Sequence, residues 1–287
     1  MTGHSQDQLQ RFSFDHTSIR GELAHLNSTF QDVIRRHAYP RTIAIALGEL
    51  MAATALLSAS LKFPGRLTLQ LRLTGNVTLL QAETDEKGRM RAIARYEEGA
   101  DTDTLSLDDG QMVLTMEPEN GQRYQGITAI EQGNVAKALE DYFEQSEQLA
   151  SRFWLHCDGR VAAGLMLQKM PASQGVDPDA DPDAWDRLGH LASTVKEDEL
   201  LHLDNEDLLH RLYHEEAVRV YPSSALQFWC SCSKDRIGNA LHQLGYDELQ
   251  DILREQGSIA INCEFCQQAY SFDAAQIDEL FPERTLQ

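Results

Sequence analysis

The sequence predicts an α+β protein in three parts: an N-terminal antiparallel sheet domain packed with helices, an amphipathic helical linker, and a small C-terminal domain with four cysteines. Three observations predict this order. Apolar and polar residues alternate over residues 11–27 and 66–131, as expected for half-buried strands. Apolar residues at helical spacing follow, and the cysteines cluster near the C-terminus. We place the three parts at residues 1–174, 175–229 and 230–287.

Size and composition are those of a globular protein. The chain has 287 residues, of which 42% are hydrophobic, enough for one large core and a smaller appended unit. Residues 1–10 are polar and lack a basic stretch followed by an apolar run, so we expect no secretory signal and a cytoplasmic location. In a reducing compartment, clustered cysteines are more often metal ligands or redox sensors than permanent disulfides.

The strand pattern is clearest at residues 67–73, where four leucines share one face and the intervening polar residues share the other. Residues 85–88 and 118–121 are plausible hairpin turns, because their glycines can adopt positive φ. We therefore expect antiparallel hairpins in a half-solvated sheet. Strand character returns at residues 152–168.

Two helices are predicted within the first part. Pro40 suits the first turn of an almost uniformly apolar helix that extends to Leu61. This run is close to membrane-spanning length, but it is rich in alanine, contains Glu49 and has no sizeable basic flank. We therefore expect a buried core helix and no membrane association. Apolar residues at helical spacing predict the second helix at residues 134–149.

The linker is strongly acidic and amphipathic. Alternating Asp and Pro residues at 177–183 disfavour regular structure and mark a boundary. Residues 175–229 carry 4 basic and 13 acidic side chains, nearly half of the excess in a net charge of −20. Apolar residues recur at helical spacing from Trp185 to Val220. Because helices of modest propensity need tertiary burial, we expect this segment to unfold when it loses its docking surface.

Four of the five cysteines form a C-x-C pair, Cys230 and Cys232, and a C-x-x-C pair, Cys263 and Cys266. Two such pairs can close one tetrahedral four-thiolate site, for which zinc is the default metal. The intervening residues 233–262 have room for two helices, which the sequence places at 235–244 and 247–255. A domain this small has a marginal core, so the metal is expected to supply folding energy on the order of 10 kcal/mol.

The cysteine spacing alone leaves two uses of the site open. It fits a permanently closed zinc knuckle, and it also fits a switch, because each sulfur has a potential disulfide partner one or two residues away. The acidic surface would repel phosphate backbones, so we expect no nucleic-acid binding by this domain.

Other candidate sites have simpler interpretations. The acidic run at 177–183 resembles a calcium loop, but Pro182 stands where such a loop needs glycine. His210 and His214 lie four residues apart without the carboxylate of a metalloprotease motif. Cys157 is expected to be a small buried strand residue. Phosphate-loop, dinucleotide-binding and nucleophile-elbow motifs are missing from the sequence, so we predict that the protein is not an enzyme.

The cysteine motifs, the acidic linker before them and several N-terminal segments together resemble the bacterial redox-regulated thirty-three-kilodalton heat-shock chaperone family. The resemblance covers essentially the whole chain, and the four-cysteine pattern in this domain order is its specific part. The supporting N-terminal segments are residues 48–53, 124–127, 142–148 and 162–164.

The resemblance implies an ATP-independent holdase that is inactive while it is reduced and zinc-bound. Oxidants would convert the ligands into two disulfides, Cys230 with Cys232 and Cys263 with Cys266, with loss of zinc and unfolding of the zinc domain and linker. The protein, dimeric when active, would capture unfolding clients and later pass them to the ATP-dependent seventy-kilodalton heat-shock chaperone system. The apolar linker residues that would become available to clients are Trp185, Leu188, Leu201, Leu208 and Leu212.

Two other interpretations belong to different classes. The protein could be a constitutively folded, zinc-stabilised protein- or RNA-binding module, or an enzyme whose residues are too scattered for sequence motifs to reveal. The interpretations predict opposite effects of zinc loss on activity. A switch gains activity when zinc is lost, whereas both alternatives lose activity.

Overall fold

The computed structural model describes residues 7–61, 64–97, 99, 105–130, 133–171 and 181–282. The chain divides into two compact units, Met1–Phe228 and Trp229–Gln287. Two six-stranded sheets and several helices form the first unit, and a two-stranded sheet with helices forms the second. This combination of helices with mostly antiparallel strands confirms the predicted α+β class.

Most of the strands lie in the first unit. In chain order, the strands are β1 (Gln8–Phe14), β2 (Ile19–Leu26), β3 (Gly65–Arg72), β4 (Val77–Asp85), β5 (Arg89–Tyr96), β6 (Gln111–Pro118), β7 (Tyr124–Ala129), β8 (Ser151–Cys157), β9 (Ala162–Lys169), β10 (Val218–Val220), β11 (Ser224–Ala225), β12 (Gln227–Phe228), β13 (Ile259–Asn262) and β14 (Ala269–Phe272). The helices are α1 (Ser28–His37), α2 (Arg41–Ser58), α3 (Val135–Tyr142), α4 (Ala184–Ala192), α5 (Glu197–His202), α6 (Asn205–Tyr213), α7 (Lys234–His242), α8 (Tyr246–Gln256) and α9 (Ala274–Glu279), with a π-helical turn at Phe143–Glu147.

The second sheet of the N-terminal unit matches the predicted alternation. Its order is β12-β5-β4-β3-β6-β7, and every pair except β12 with β5 is antiparallel. Leu67, Leu69 and Leu71 of β3 are buried, whereas Arg72 is exposed, so this sheet is half-solvated as predicted. Gly88 adopts a φ of 70° in the turn between β4 and β5.

The first sheet is covered on both faces, which the sequence analysis did not predict. Its order is β10-β1-β2-β9-β8, with β11 also paired to β1. Along β9, Ala162 and Met166 belong to the core around α2, whereas Leu165 and Leu167 belong to a second core formed with α4, α5 and α6. The expectation of a half-solvated sheet is wrong here, because the linker helices cover the other face. The segment predicted as strand at 152–168 forms the β8–β9 hairpin.

Helix α2 is the core helix of the N-terminal unit. It packs against strands of both sheets, and its side chains Leu47, Leu50 and Met51 are fully buried. Among the described residues it is the one helix long and apolar enough to cross a membrane, but 72% of that stretch is buried within the protein. The predicted buried helix is confirmed, although Pro40 lies at its N-cap and it ends at Ser58 instead of Leu61.

The helix predicted at residues 134–149 is present in two parts. The Asn134 side chain accepts hydrogen bonds from the backbone N–H groups of Ala136 and Lys137, which caps α3. After Tyr142 the chain continues as the π-helical turn. The helix therefore begins where the sequence predicts it, and its last turn is wider than a regular α-helix.

The linker segment from residue 181 to Phe228 belongs to the first compact unit, and Trp229 belongs to the second. Its apolar stripes form α4, α5 and α6, as predicted from helical spacing. It also contributes β10, β11 and β12, three short strands that the sequence analysis missed. Strand β10 pairs with β1, with Phe12 opposite Val220. The acidic run at 177–180 lies outside the described residues.

The C-terminal unit has a small core. Helices α7 and α8 lie close to the predicted positions 235–244 and 247–255. They pack with α9 and the β13–β14 hairpin, both of which were not predicted. The buried apolar residues of this core are Leu241, Leu249, Leu253, Ile259, Phe272 and Ile277.

Candidate metal centre

Four cysteines meet in the C-terminal unit. Cys230 and Cys232 lie between β12 and α7, whereas Cys263 and Cys266 lie in the turn that joins β13 to β14. Their Sγ atoms all lie within 4.8 Å of one another, and Cys263 is the most deeply buried of the four. The structure therefore brings together all four sulfurs that the sequence selects as metal ligands.

The sulfur distances fit a four-thiolate metal site. The Sγ atoms of Cys230 and Cys263 are 3.6 Å apart, and those of Cys232 and Cys266 are 3.4 Å apart. Zn–S bonds of about 2.3 Å in a tetrahedron would place sulfurs about 3.8 Å apart, whereas a disulfide requires about 2.05 Å. All four cysteines are reduced in this structure, and their arrangement can accept one metal ion.

The C-x-x-C pair is positioned by backbone hydrogen bonds. The Cys263 N–H donates to the Gln268 carbonyl at 2.9 Å, and the Gln267 N–H donates to the Cys263 carbonyl at 2.8 Å. Gln267 has a φ of 59°, which closes the turn. The pairing of β13 with β14 continues this hairpin from Asn262 and Ala269 outward. The turn thus holds Cys263 and Cys266 at the end of a regular ladder.

The C-x-C pair is positioned by side chains. Arg236 donates from one guanidinium nitrogen to the Ser231 carbonyl at 3.0 Å and to the Ser231 hydroxyl at 2.6 Å. The Tyr270 hydroxyl donates to the Cys232 sulfur at 3.1 Å. Arg236 and Tyr270 were not predicted from the sequence, since their spacing from the cysteines follows no metal-ligand pattern.

Hydrogen bonding and burial shift the pKa values of the groups in this cluster. Burial would raise the pKa of the Cys232 thiol, but hydrogen bonds from Tyr270 and the neighbouring thiols outweigh it and lower that pKa. Burial raises the pKa of Cys266, and its thiol contacts add to the effect. The hydrogen bond to Cys232, followed by burial, raises the pKa of Tyr270 to about 12.

Cys157 is separate from this cluster. It is buried at the end of β8 in the N-terminal unit, as predicted, and the Gly159 N–H donates to its sulfur at 3.3 Å. Burial raises the pKa of Cys157 to about 12. A thiol of this kind stays protonated at neutral pH and is a weak nucleophile.

The other ligand candidates of the sequence that lie among the described residues make contacts other than a metal-binding cluster. Within the described residues, the four-cysteine group is the one cluster of His, Cys, Asp and Glu with metal-binding geometry. The rings of His210 and His214 contact each other with centroids 5.8 Å apart. In the acidic run, Asp181 forms an ion pair with Arg187 at 2.7 Å.

The candidate client-binding residues of the linker are covered in this structure. Their side chains pack on the face of the first sheet that α2 does not cover, together with Leu23 and Leu165. Trp185 is partly buried, and the Arg152 guanidinium lies 5.0 Å from the centroid of its ring. The fully covered candidates are Leu188, Leu201, Leu208 and Leu212.

Comparison with known proteins identifies the family of this chain. The family described as "Hsp33 protein" matches residues 7–273. A 33 kDa chaperonin of Pseudomonas aeruginosa is 48% identical over 280 residues, covering 96% of this chain and 94% of the relative. A 33 kDa chaperonin of Pseudomonas paraeruginosa is 47% identical over 281 residues, covering 96% and 94% respectively.

A solved structure shows the same fold. The 33 kDa chaperonin (Heat shock protein 33 homolog) of Thermotoga maritima superposes with a TM-score of 0.82 at 19% identity, covering 98% of this chain and 100% of that one. The chain belongs to the Hsp33 family, a family of chaperones. The resemblance drawn from the cysteine motifs is therefore confirmed.

Proposed function

We propose that the protein is a redox-regulated, ATP-independent holdase of the cytoplasm, without enzymatic activity. Its three functional parts would be an N-terminal core at residues 1–174, a metastable linker at 175–229 and a zinc-binding switch at 230–287. The observation that carries the proposal is a four-thiol cluster placed directly after an acidic linker whose apolar helix faces are packed into a buried core. Oxidation can act on the thiols, and unfolding can uncover the linker.

Cys230, Cys232, Cys263 and Cys266 would hold one Zn²⁺ ion in the reduced protein. Bound zinc would keep the four sulfurs as thiolates and add its binding energy to the folding of this small unit. Thiolates are the form of cysteine that oxidants attack, so the same sulfurs serve as ligands and as sensor.

Oxidation would convert the ligands into disulfides within each local pair, Cys230 with Cys232 and Cys263 with Cys266. Each new S–S bond removes two electrons from its pair, and an oxidant such as hypochlorous acid takes them up and leaves as chloride and water after protonation. A disulfide sulfur no longer carries the charge that holds a metal. The metal would thus lose its ligands, and the C-terminal unit would lose about 10 kcal/mol of folding energy in the same step.

Unfolding of the C-terminal unit would weaken the docking of the linker, because the two are directly connected along the chain. Trp229 alone separates Phe228, the last residue of β12, from Cys230. The linker has modest helix propensity and a strong negative charge, so it would join the disordered class once its docking is weakened. Unfolding would expose the apolar residues that now pack on the first sheet.

The exposed linker would bind unfolded client proteins. A flexible segment with separated apolar side chains adapts to clients of different sequence, and the net charge of −20 keeps complexes from aggregating. The proposed contact residues are Trp185, Leu188, Leu201, Leu208 and Leu212. We further propose that the active form is a homodimer and that clients pass to the seventy-kilodalton heat-shock chaperone system after reduction.

The deciding experiment follows light scattering of a heat-unfolding client in the presence of the reduced, zinc-loaded protein and of the oxidised protein. Zinc release and free thiols are measured on the same samples. We expect suppression of aggregation only after oxidation, in step with loss of zinc and of four thiols. Equal suppression by the reduced protein, or oxidation that leaves zinc bound, contradicts the proposal.

Cys232→Ser tests the coupling between the metal site and the linker without an oxidant. Loss of one ligand should weaken zinc retention and make the linker at 175–229 sensitive to proteases. Cys157→Ser is the matched control, because it removes a thiol that is not in the cluster. If proteolytic resistance of the linker is the same in both variants and in the wild type, the site and linker are not coupled. Binding of a specific partner by the reduced protein alone would favour a constitutive binding module instead.

A further inference from the structure

We propose that Tyr270 is a positioning residue for the redox site, and that its hydrogen bond to Cys232 restrains that sulfur from oxidation and strengthens metal retention. The proposal rests on the proposed zinc switch and adds to it a specific control of one sulfur. It concerns the contact between the Tyr270 hydroxyl and the Cys232 Sγ atom, which is 3.1 Å long.

The position of Tyr270 is fixed by the β13–β14 hairpin. Tyr270 lies in β14 and pairs with Ile261 of β13, two residues before Cys263. Its side chain is partly buried against the small core of the C-terminal unit. The strand that supports the C-x-x-C pair therefore also supplies a hydrogen-bond donor to the C-x-C pair. One hydroxyl links the two halves of the cysteine cluster.

The loop that contains Cys232 is anchored by further hydrogen bonds. Arg236 binds the carbonyl and hydroxyl of Ser231, the residue between the two cysteines of the pair. The Ser233 hydroxyl accepts a hydrogen bond from the backbone N–H of Arg236 at 3.2 Å and thereby caps α7. The backbone of the C-x-C pair is thus anchored to the start of a helix, while Tyr270 anchors the sulfur itself.

A hydrogen bond to a ligand sulfur has two chemical effects. It withdraws electron density from a sulfur lone pair, which makes the sulfur a poorer nucleophile towards an oxidant. It also orients the sulfur towards the position at which a metal can bind, and loss of such a supporting contact typically weakens metal affinity by about 10-fold to 100-fold. Both effects oppose activation of the switch.

The oxidation step can be written for peroxide. The Cys232 thiolate attacks one peroxide oxygen, the O–O bond breaks, and sulfenic acid and hydroxide form. The Cys230 thiolate then attacks the Cys232 sulfur and displaces a second hydroxide, which forms the disulfide. Two electrons pass from the pair of sulfurs to one peroxide molecule. The first attack uses the lone pairs of the Cys232 sulfur, which the Tyr270 hydroxyl engages.

Tyr270→Phe tests the proposal because it removes only the hydroxyl. Tyr246→Phe is the matched control: it lies in the same unit and removes a tyrosine hydroxyl that donates to the Asp278 carboxylate at 2.9 Å. Full-length reduced proteins are loaded with zinc and treated with hydrogen peroxide, and zinc release and the modification of each cysteine are followed in time. We expect Tyr270→Phe to bind zinc about 10-fold more weakly and to oxidise at Cys232 about fivefold faster.

A spectroscopic measurement separates positioning from general stability. In the cobalt-substituted proteins, the sulfur-to-cobalt charge-transfer band should shift in Tyr270→Phe and stay unchanged in Tyr246→Phe, since only the first variant alters a hydrogen bond to a ligand. If Tyr270→Phe fails to fold, the wild type still provides a test. In the cadmium-113-loaded protein, the Tyr270 hydroxyl proton should exchange slowly with solvent and couple to the metal through Cys232.

The outcomes distinguish the two levels of inference. If the wild type retains no zinc, or releases none on oxidation, the proposed switch fails. If the wild type behaves as a zinc switch and Tyr270→Phe matches it in zinc affinity, oxidation rate and cobalt spectrum, the role of Tyr270 is wrong. An equal change in Tyr246→Phe would also overturn it, because the effect would then reflect loss of stability in the unit.

Discussion

The two compact units hold themselves together in different ways. In the N-terminal unit, α2 lies among strands of two sheets, and a large continuous cluster of apolar residues surrounds it. In the C-terminal unit, six apolar residues form the buried core, and four partly or fully buried cysteines lie beside it. The first unit has a large apolar core, whereas the second is of a size at which an apolar core by itself gives only marginal stability.

The N-terminal and C-terminal units therefore depend on different sources of stability. Under the proposed function, a change at the sulfurs would act on the C-terminal unit, because metal binding and folding would be one equilibrium there. A change in the apolar core acts on the N-terminal unit, where stability follows buried area. Under the proposed function, a redox signal would therefore unfold one part of the protein and leave the other folded.

The largest effect should come from removal of the metal. We expect a strong chelator, added to the reduced protein, to unfold residues 229–287, because the unit loses folding energy on the order of 10 kcal/mol. Limited proteolysis read by mass spectrometry should find cleavage at Leu241, Leu249 and Leu253, while α2 stays protected. Readdition of zinc should restore protection. Protection of the C-terminal unit that persists in full without metal would show that its small core is sufficient.

The next prediction compares one buried leucine from each unit. Leu47 in α2 and Leu249 in α8 are both fully buried. Each change to alanine should cost about 2 to 5 kcal/mol. Leu47→Ala should lower the urea midpoint of the N-terminal unit and leave zinc affinity unchanged, whereas Leu249→Ala should weaken zinc binding. A change of zinc affinity that is the same in both variants would contradict the separation of the two stabilities.

Local patterns in the sequence predicted most of this architecture. The continuous apolar run of α2 and the alternation around Leu69 are signals carried by neighbouring residues, and both elements are present. The two cysteine pairs are also local motifs, and together they predicted every sulfur of the candidate metal centre. Features whose cause lies within a few residues were thus accessible without a structure.

Features that depend on distant residues were not predicted. The pairing of Phe12 with Val220 joins the two ends of the N-terminal unit, and β10 is too short to show a period of its own. The sheet face beneath the linker was expected to be solvated, since its covering comes from a segment far along the chain. Tyr270 reaches Cys232 through hairpin geometry. Side-chain contacts of this kind follow from the fold and leave no spacing pattern.

A buried carboxyl should make the stability of the N-terminal unit depend on pH. Glu22 of β2 is 1% exposed, and burial raises its pKa to about 7 from 4.5, against the opposing effect of Arg20 and Arg11. The folded protein therefore holds a proton that the unfolded chain releases, so stability falls as pH rises from about 4.5 to 7. The loss is about 3 kcal/mol.

Glu22→Gln should remove this dependence. The variant should be more stable than the wild type above about pH 7, by up to about 3 kcal/mol, and similar to it near pH 4.5. Urea unfolding of the N-terminal unit at several pH values measures the difference. Glu144→Gln, which replaces an exposed carboxylate of the same unit, is the matched control. Parallel pH curves for Glu22→Gln and the wild type would show that Glu22 is ionised when folded.

The smallest expected effect lies within the N-terminal unit, between its sheet and its linker. Arg152 of β8 forms an ion pair with Asp186 of α4 at 2.9 Å and lies over the Trp185 ring. Arg152→Met keeps the aliphatic part of the side chain and removes the charge, so it should weaken the docking of α4 by about 1 kcal/mol. Hydrogen exchange should become faster in α4, while α2 and the C-terminal unit keep their rates. Arg72→Met, at an exposed position of β3, is the control. If exchange in α4 is unchanged, α4 is held by its buried face alone, and Leu188 rather than Arg152 decides how readily the linker is released.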